Sequence, residues 1–131
     1  MSGTGSALLA TNIVIAYLKR DWTVRGQWQV LSNLYLPLTA LGELYHGAYK
    51  SVRQDHVLTQ LHDLLSVVIL LTPTDATAKY YGQIKAELAG AGTPIPQNDI
   101  WIAALAKEYQ LPLATRDRHF KQVQGLITLD W

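Results

Sequence analysis

Three carboxylates in this chain stand where a parallel sheet would gather them. Glu43 lies within TALGELYHGA, Asp99 within NDIWIAALA and Asp117 within ATRDRHF. Each falls in the first turns of an expected helix or just past an expected strand, so all three should approach one edge of a sheet. A carboxylate at a helix start also has a plainer role, compensating or capping the helix dipole, and that role suits Asp99. It suits Glu43 less well, because Leu41, Leu44 and Tyr45 surround it on a helix expected to pack. With no cysteine in the chain and no shared ligand spacing among His46, His56, His62 and His119, the donors are oxygens, which select Mg²⁺ or Mn²⁺ over zinc. Such ions keep several waters and bind phosphate oxygens, and the reaction class they imply is metal-assisted phosphodiester hydrolysis. Spacing alone leaves the function open, since three acids also gather by chance.

The elements that must position these acids follow from hydrophobic spacing. Residues 7–10 read as a short buried strand, followed by a helix that Thr11 or Asn12 can cap and that ends around residues 19–21. A second helical stretch covers roughly 24–31. Residues 34–38 read as a strand, with Thr39 able to cap a helix running to about Tyr49, and Val57, Leu61, Leu64 and Leu65 mark another helix. VVILL, residues 67–71, is a continuous apolar run of the kind buried on both faces of a parallel sheet. Thr74 or Asp75 can cap a long helix carrying Tyr81, Ile84 and Leu88. GAGTPIPQ, residues 90–97, is the clear loop, Asn98 can cap the next helix, and residues 111–115 and 126–129 complete the sheet. Alternating strands and helices predict an α/β layer fold with a mostly parallel central sheet flanked by helices, its function at the carboxyl ends of the strands.

At 131 residues the chain fits one domain, read as 7–131, with 1–6 a flexible leader. Hydrophobic residues at 49% against 16% charged exclude a disordered chain. The net charge is only +1, so any affinity for nucleic acid must come from a local cluster. Neither targeting signals nor membrane spans are found in the sequence, and a soluble cytoplasmic protein is the expectation.

In this order along the chain, four segments resemble the motifs of the PIN-domain ribonucleases. ATNIVIAYL resembles the opening strand-to-helix Asp-Thr-Asn motif, TALGELYHGA the second, NDIWIAALA the third and ATRDRHF the fourth. Length and the TRDRHF ending most resemble VapC, the toxin half of bacterial toxin-antitoxin pairs. The resemblance implies a PIN-like fold in which Glu43, Asp99 and Asp117 carry a divalent cation, Mg²⁺ or Mn²⁺, and its activated water, with Asn12 and Thr115 supporting them through hydrogen bonds. It further implies structured RNA such as tRNA or rRNA as substrate, cut to leave a 5′-phosphate, a VapB-type antitoxin as partner, and a homodimer.

One position departs from the pattern. Ala10 stands where the motif calls for an aspartate, and a methyl group can neither ligate a cation nor accept a proton. In an otherwise intact set of motifs this reads as a silencing replacement, and the chain is expected to bind metal weakly and cleave RNA poorly. The competing reading is a non-catalytic module that binds an antitoxin or RNA, with Ala10 native. A phosphoacceptor receiver domain lacks its acceptor aspartate and its lysine here.

Around the acids, Arg116, Arg118 and Lys121 are candidates to hold RNA phosphates, with Lys19, Arg20 and Arg25 extending the track, although solvated surface charge explains any one of them equally well. All four histidines are expected on the surface or on helix faces, with assistance to proton transfer the competing reading for His119. Trp22 and Trp28 belong either to the core or to a face that receives an antitoxin helix. For Tyr80 and Tyr81, core or dimer packing is the better reading.

Overall fold

The computed structural model describes residues 5–131. Most of the expected leader, residues 1–4, lies outside the described residues. Gly5 is tied down, its carbonyl accepting from the Ser32 and Asn33 amides at 2.8 and 3.2 Å, and the first strand begins at Ser6, one residue earlier than expected.

In chain order the elements are β1 (Ser6–Leu9), α1 (Thr11–Leu18), α2 (Trp22–Gln29), β2 (Asn33–Pro37), α3 (Leu38–Lys50), α4 (Gln54–Leu65), β3 (Ile69–Leu71), α5 (Asp75–Ala91), α6 (Gln97–Glu108), β4 (Leu113–Thr115), a 3₁₀ turn (Arg118–Gln122) and β5 (Thr128–Asp130). The five strands form one sheet in the order β3-β2-β1-β4-β5, and every pairing is parallel. The expected α/β architecture is therefore present, with six helices flanking the sheet. Among the described residues no helix is long and apolar enough to cross a membrane.

β1 lies at the centre of the sheet. Its Ala7, Leu8 and Leu9 have no exposed surface, as befits a strand covered on both faces. From β1 the chain proceeds outward through β2 to β3, then crosses back to place β4 on the other side. The strand order reverses between β1 and β4, and the crevice at such a reversal is where α/β sheets hold their ligands.

Several local expectations need correction. The run at 67–71 contributes only the three residues of β3, at the sheet edge, and Ile69 and Leu70 remain 45% and 38% exposed. Apolar continuity says that a strand is compatible with burial, but which strand receives a neighbour on each side depends on the crossovers. Neither Thr11 nor Asn12 caps α1: Ala10 occupies the cap, with no side chain to offer. α3 starts at Leu38 after Pro37, so Thr39 falls inside the first turn, and its buried Oγ1 has no partner. α6 starts at Gln97 after Pro96, one residue before the expected cap Asn98. Prolines just before both helices supply a preset φ that makes a side-chain cap unnecessary for turning the chain.

Thr74 does open α5 as expected. Its amide donates to Thr77 Oγ1 at 3.0 Å, and the fully buried Thr77 hydroxyl donates to Glu108 Oε1 at 2.5 Å, joining the start of α5 to the end of α6. This polar bond ties the long α5 to the helix carrying Asp99. Removing the acceptor strands a buried hydroxyl, which costs about 1–3 kcal/mol. Glu108→Ala is expected to lower stability by about that amount in urea unfolding, and a double-mutant cycle with Thr77→Val should give a coupling of about 1 kcal/mol. A coupling near zero would show that the two helices register through apolar packing alone.

Candidate active site

The carboxyl ends of β1, β2 and β4 open onto one cavity of about 490 Å³. The β1–α1 junction contributes Ala10, Thr11 and Asn12 to its wall. Glu43 comes from the second turn of α3, Asp99 from the first turn of α6, and Asp117 caps the 3₁₀ turn after β4. The three acids that the sequence separates by more than seventy residues thus line one cavity, in which Asp99 and Asp117 form a close group with His119 while Glu43 stands outside that group.

Each acid is held by its neighbours. Thr11 Oγ1 donates to Glu43 Oε1 at 3.0 Å, linking α1 to α3 across the cavity mouth. The Asp117 amide donates to Thr115 Oγ1 at 3.0 Å, and Asp117 Oδ1 accepts from the His119 amide at 2.9 Å, which fixes the turn. Asn12 Oδ1 accepts from the Arg116 amide at 3.3 Å, so its hydrogen bond steadies Asp117 through the preceding residue. Glu43 is exposed on its helix while Leu41 and Leu44 are buried, so its apolar sequence neighbours face the core and leave it to the cavity.

Asp99 carries the electrostatic cost. Burial raises its pKa above the ordinary value of 3.8, the charges of Asp117 and Glu43 raise it further, and a hydrogen bond and charge from His119 act in the opposite sense. A carboxyl pushed toward protonation by burial and by two neighbouring acids lacks a compensating positive charge.

Two residues escaped the sequence reading. Thr11, taken only as a possible cap, holds Glu43. His119, set aside as a surface histidine, turns its Nδ1 to within 3.1 Å of Asp117 Oδ1 and 3.6 Å of Asp99 Oδ2. The available signal was its two-residue separation from a capping aspartate, which folds the ring back over the carboxylate.

The basic track breaks up. Arg116 is committed to Asp21 Oδ2 at 2.9 Å and to the Trp131 carbonyl at 2.7 Å, and its guanidinium holds the Asp21 carboxyl below the usual range. Both Nε and a terminal nitrogen of Arg25 donate to the Tyr17 carbonyl at the end of α1, and the guanidinium lies over the Tyr17 ring. Lys121 reaches Asp130 at 3.4 Å, an exposed contact that leaves it available. Arg118, Lys19 and Arg20 are exposed. Trp28 is buried and stacked on Tyr17 at 3.9 Å, while Trp22 is 84% exposed. Tyr81 stacks on Trp101 at 4.2 Å, so it packs within the chain.

A model of the PIN domain matches residues 7–126. Among curated relatives, ribonuclease VapC2 of Haemophilus influenzae is 35% identical over 127 residues, covering 95% of this chain and 96% of the relative. The tRNA(fMet)-specific endonuclease VapC of Shigella flexneri is 34% identical over the same shares. Among solved structures, VapBC2 from Rickettsia felis bound to a promoter DNA fragment superposes with a TM-score of 0.91 at 27% identity, over 96% of this chain and 98% of that one. DNA-bound VapBC from Salmonella typhimurium gives 0.89 at 28% identity, over 98% and 99%. With the acids converging at the sheet reversal and these likenesses spanning nearly its whole length, the chain belongs to the PIN-domain family, among the VapC ribonucleases.

Proposed function

We propose that this chain is the toxin of a toxin-antitoxin pair, built to hydrolyse phosphodiester bonds in structured RNA such as tRNA or rRNA, and weakened here by Ala10. The observation that carries this reading is the convergence of Glu43, Asp99 and Asp117 on one cavity in which burial and mutual repulsion raise the Asp99 pKa. That donor set fits a hard divalent cation, Mg²⁺ or Mn²⁺, with the three acids as its holders. When bound, such a cation neutralises charge on the phosphoryl oxygens and makes a water a nucleophile near neutral pH. The chain's own residues do the positioning. Thr11 fixes Glu43, Thr115 fixes Asp117, and Asn12 anchors the strand end between them. Arg118 and Lys121, exposed beside Asp117, are placed to meet the phosphates flanking the cut, whereas Arg116 is already spent on Asp21 and Trp131.

A VapB-type antitoxin as partner rests on family membership and on a second cavity. A groove of about 520 Å³ runs between α1, α3 and α4, lined by Ile15, Leu18, Leu44 and Val57, and its apolar walls suit the apolar face of a helix. Homodimerisation and a cytoplasmic location rest on the family alone.

Ala10 is the observation favouring the second reading, a binding module without catalysis. Its backbone has the extended conformation of a helix cap, φ −73° and ψ 159°, and its carbonyl accepts from the Ile13 and Val14 amides, but no side chain completes the cap. An aspartate there would both cap α1 and face the cavity. A capping side chain in place of alanine contributes about 0.5–2 kcal/mol.

Ala10→Ser is therefore expected to raise stability by about that amount in urea unfolding without restoring cleavage, because it caps but brings no carboxylate. Ala10→Asp should restore Mg²⁺- or Mn²⁺-dependent, EDTA-sensitive RNA cleavage by roughly a hundredfold or more, about 2.7 kcal/mol of transition-state stabilisation, with growth arrest in cells. No gain from Ala10→Asp in either assay would favour the binding module. For Asp99 the sign is set by its raised pKa: its protonated form contributes stability fully present below 3.8 and lost as pH rises through the higher folded value. Asp99→Asn should accordingly raise the urea midpoint of the metal-free protein at pH 7, with an advantage that shrinks toward pH 4. Added Mg²⁺ should stabilise the parent more than the variant, and equal stabilisation of both would remove Asp99 from the cation site.

A further inference from the structure

We propose that His119 is a nitrogen ligand of this site, giving it a preference for first-row transition cations over Mg²⁺. The inference rests on the metal-binding reading above and adds a donor that an all-carboxylate site lacks. His119 Nδ1 lies 3.1 Å from Asp117 Oδ1 and 3.6 Å from Asp99 Oδ2. One ligand atom from each of the three residues lies within 4.8 Å of the other two. Donors about 2.1 Å from a divalent ion in octahedral array stand roughly 3.0 Å apart when adjacent and roughly 4.2 Å apart when opposite. The 3.1 Å pair has the spacing of adjacent ligands, the 3.6 Å pair lies between the two octahedral spacings, and small side-chain shifts bring all three atoms into one coordination shell.

The ring's place is built into the turn. The His119 amide donates to the same Asp117 Oδ1 that Nδ1 approaches, so the aspartate that caps the turn also pins the residue carrying the imidazole. The other cations of this turn do not compete for the position: Arg118 is exposed and Lys121 reaches toward Asp130. His119 is 51% exposed in its side chain, which leaves room for the ring proton on Nε2 when Nδ1 is given to a cation. Imidazole nitrogen suits transition ions, whereas Mg²⁺ takes oxygen donors and keeps its waters. The mixed set is consequently more selective than three carboxylates.

The test is electron spin-echo envelope modulation of Mn²⁺ added to tag-free protein, both the chain as it stands and its Ala10→Asp variant, with and without His119→Ala or His119→Gln. The expected result is ¹⁴N modulation that both replacements of His119 abolish. Mn²⁺ affinity should fall roughly tenfold or more, while Mg²⁺ affinity measured by competition changes by less than about threefold. Mn²⁺ bound without ¹⁴N modulation, or modulation that survives loss of His119, overturns the inference and leaves the carboxylate site standing. Failure of both position-10 forms to bind Mn²⁺ overturns both.

Discussion

Repulsion among like charges is the constraint on which the site depends. Glu43, Asp99 and Asp117 are drawn together by three different elements, and burial raises the Asp99 pKa before its neighbours raise it further. A fold gains nothing in stability from that arrangement. It persists because the flanking helices and the sheet edge are fixed by contacts made elsewhere. Ala7, Leu8 and Leu9 of the central strand β1 are fully buried, and a hydrogen bond inside the protein ties α5 to α6. Stability invested in the core thus holds a locally unfavourable charge cluster in place, a common feature of functional sites.

The parallel topology explains how so little local structure suffices. Every strand runs in the same direction, so every strand ends at the same edge, and the reversal between β1 and β4 leaves a crevice there. α1, α3 and α6 need only start near that edge for their first turns to reach it. Thr11 and Asn12 then stitch the rim, one to Glu43 and the other to the chain beside Asp117. The same geometry accounts for Arg116, whose backbone serves the site while its side chain leaves it to brace Asp21 and the Trp131 carbonyl.

Much of this was legible beforehand, for physical reasons that differ by residue. The strand-helix alternation and the three acids could be placed because hydrophobic period and helix starts are local properties of the chain. The burial of 67–71 could not, since an edge strand and a central strand have the same composition and differ only in topology. Capping residues were misplaced at Thr39 and Asn98 because Pro37 and Pro96 start those helices without a side-chain cap. Arg25 and Arg116 looked like phosphate contacts because a sequence shows a charge but not the carbonyl or carboxylate that engages it. The approach of His119 to the acids was missed because it depends on the turn that Asp117 caps. Ala10 was read from its motif as a missing ligand, and the structure shows it at a helix cap with no capping side chain.

The central claim is that the cavity between α1, α3, α6 and the end of β4 is a divalent cation site. Anomalous diffraction from crystals of the Ala10→Asp variant soaked in millimolar Mn²⁺ tests it most directly. The account predicts a manganese peak in this cavity, within coordinating distance of Asp99 and Asp117. A well-ordered crystal with no peak there, or with manganese bound only elsewhere on the chain, would contradict it.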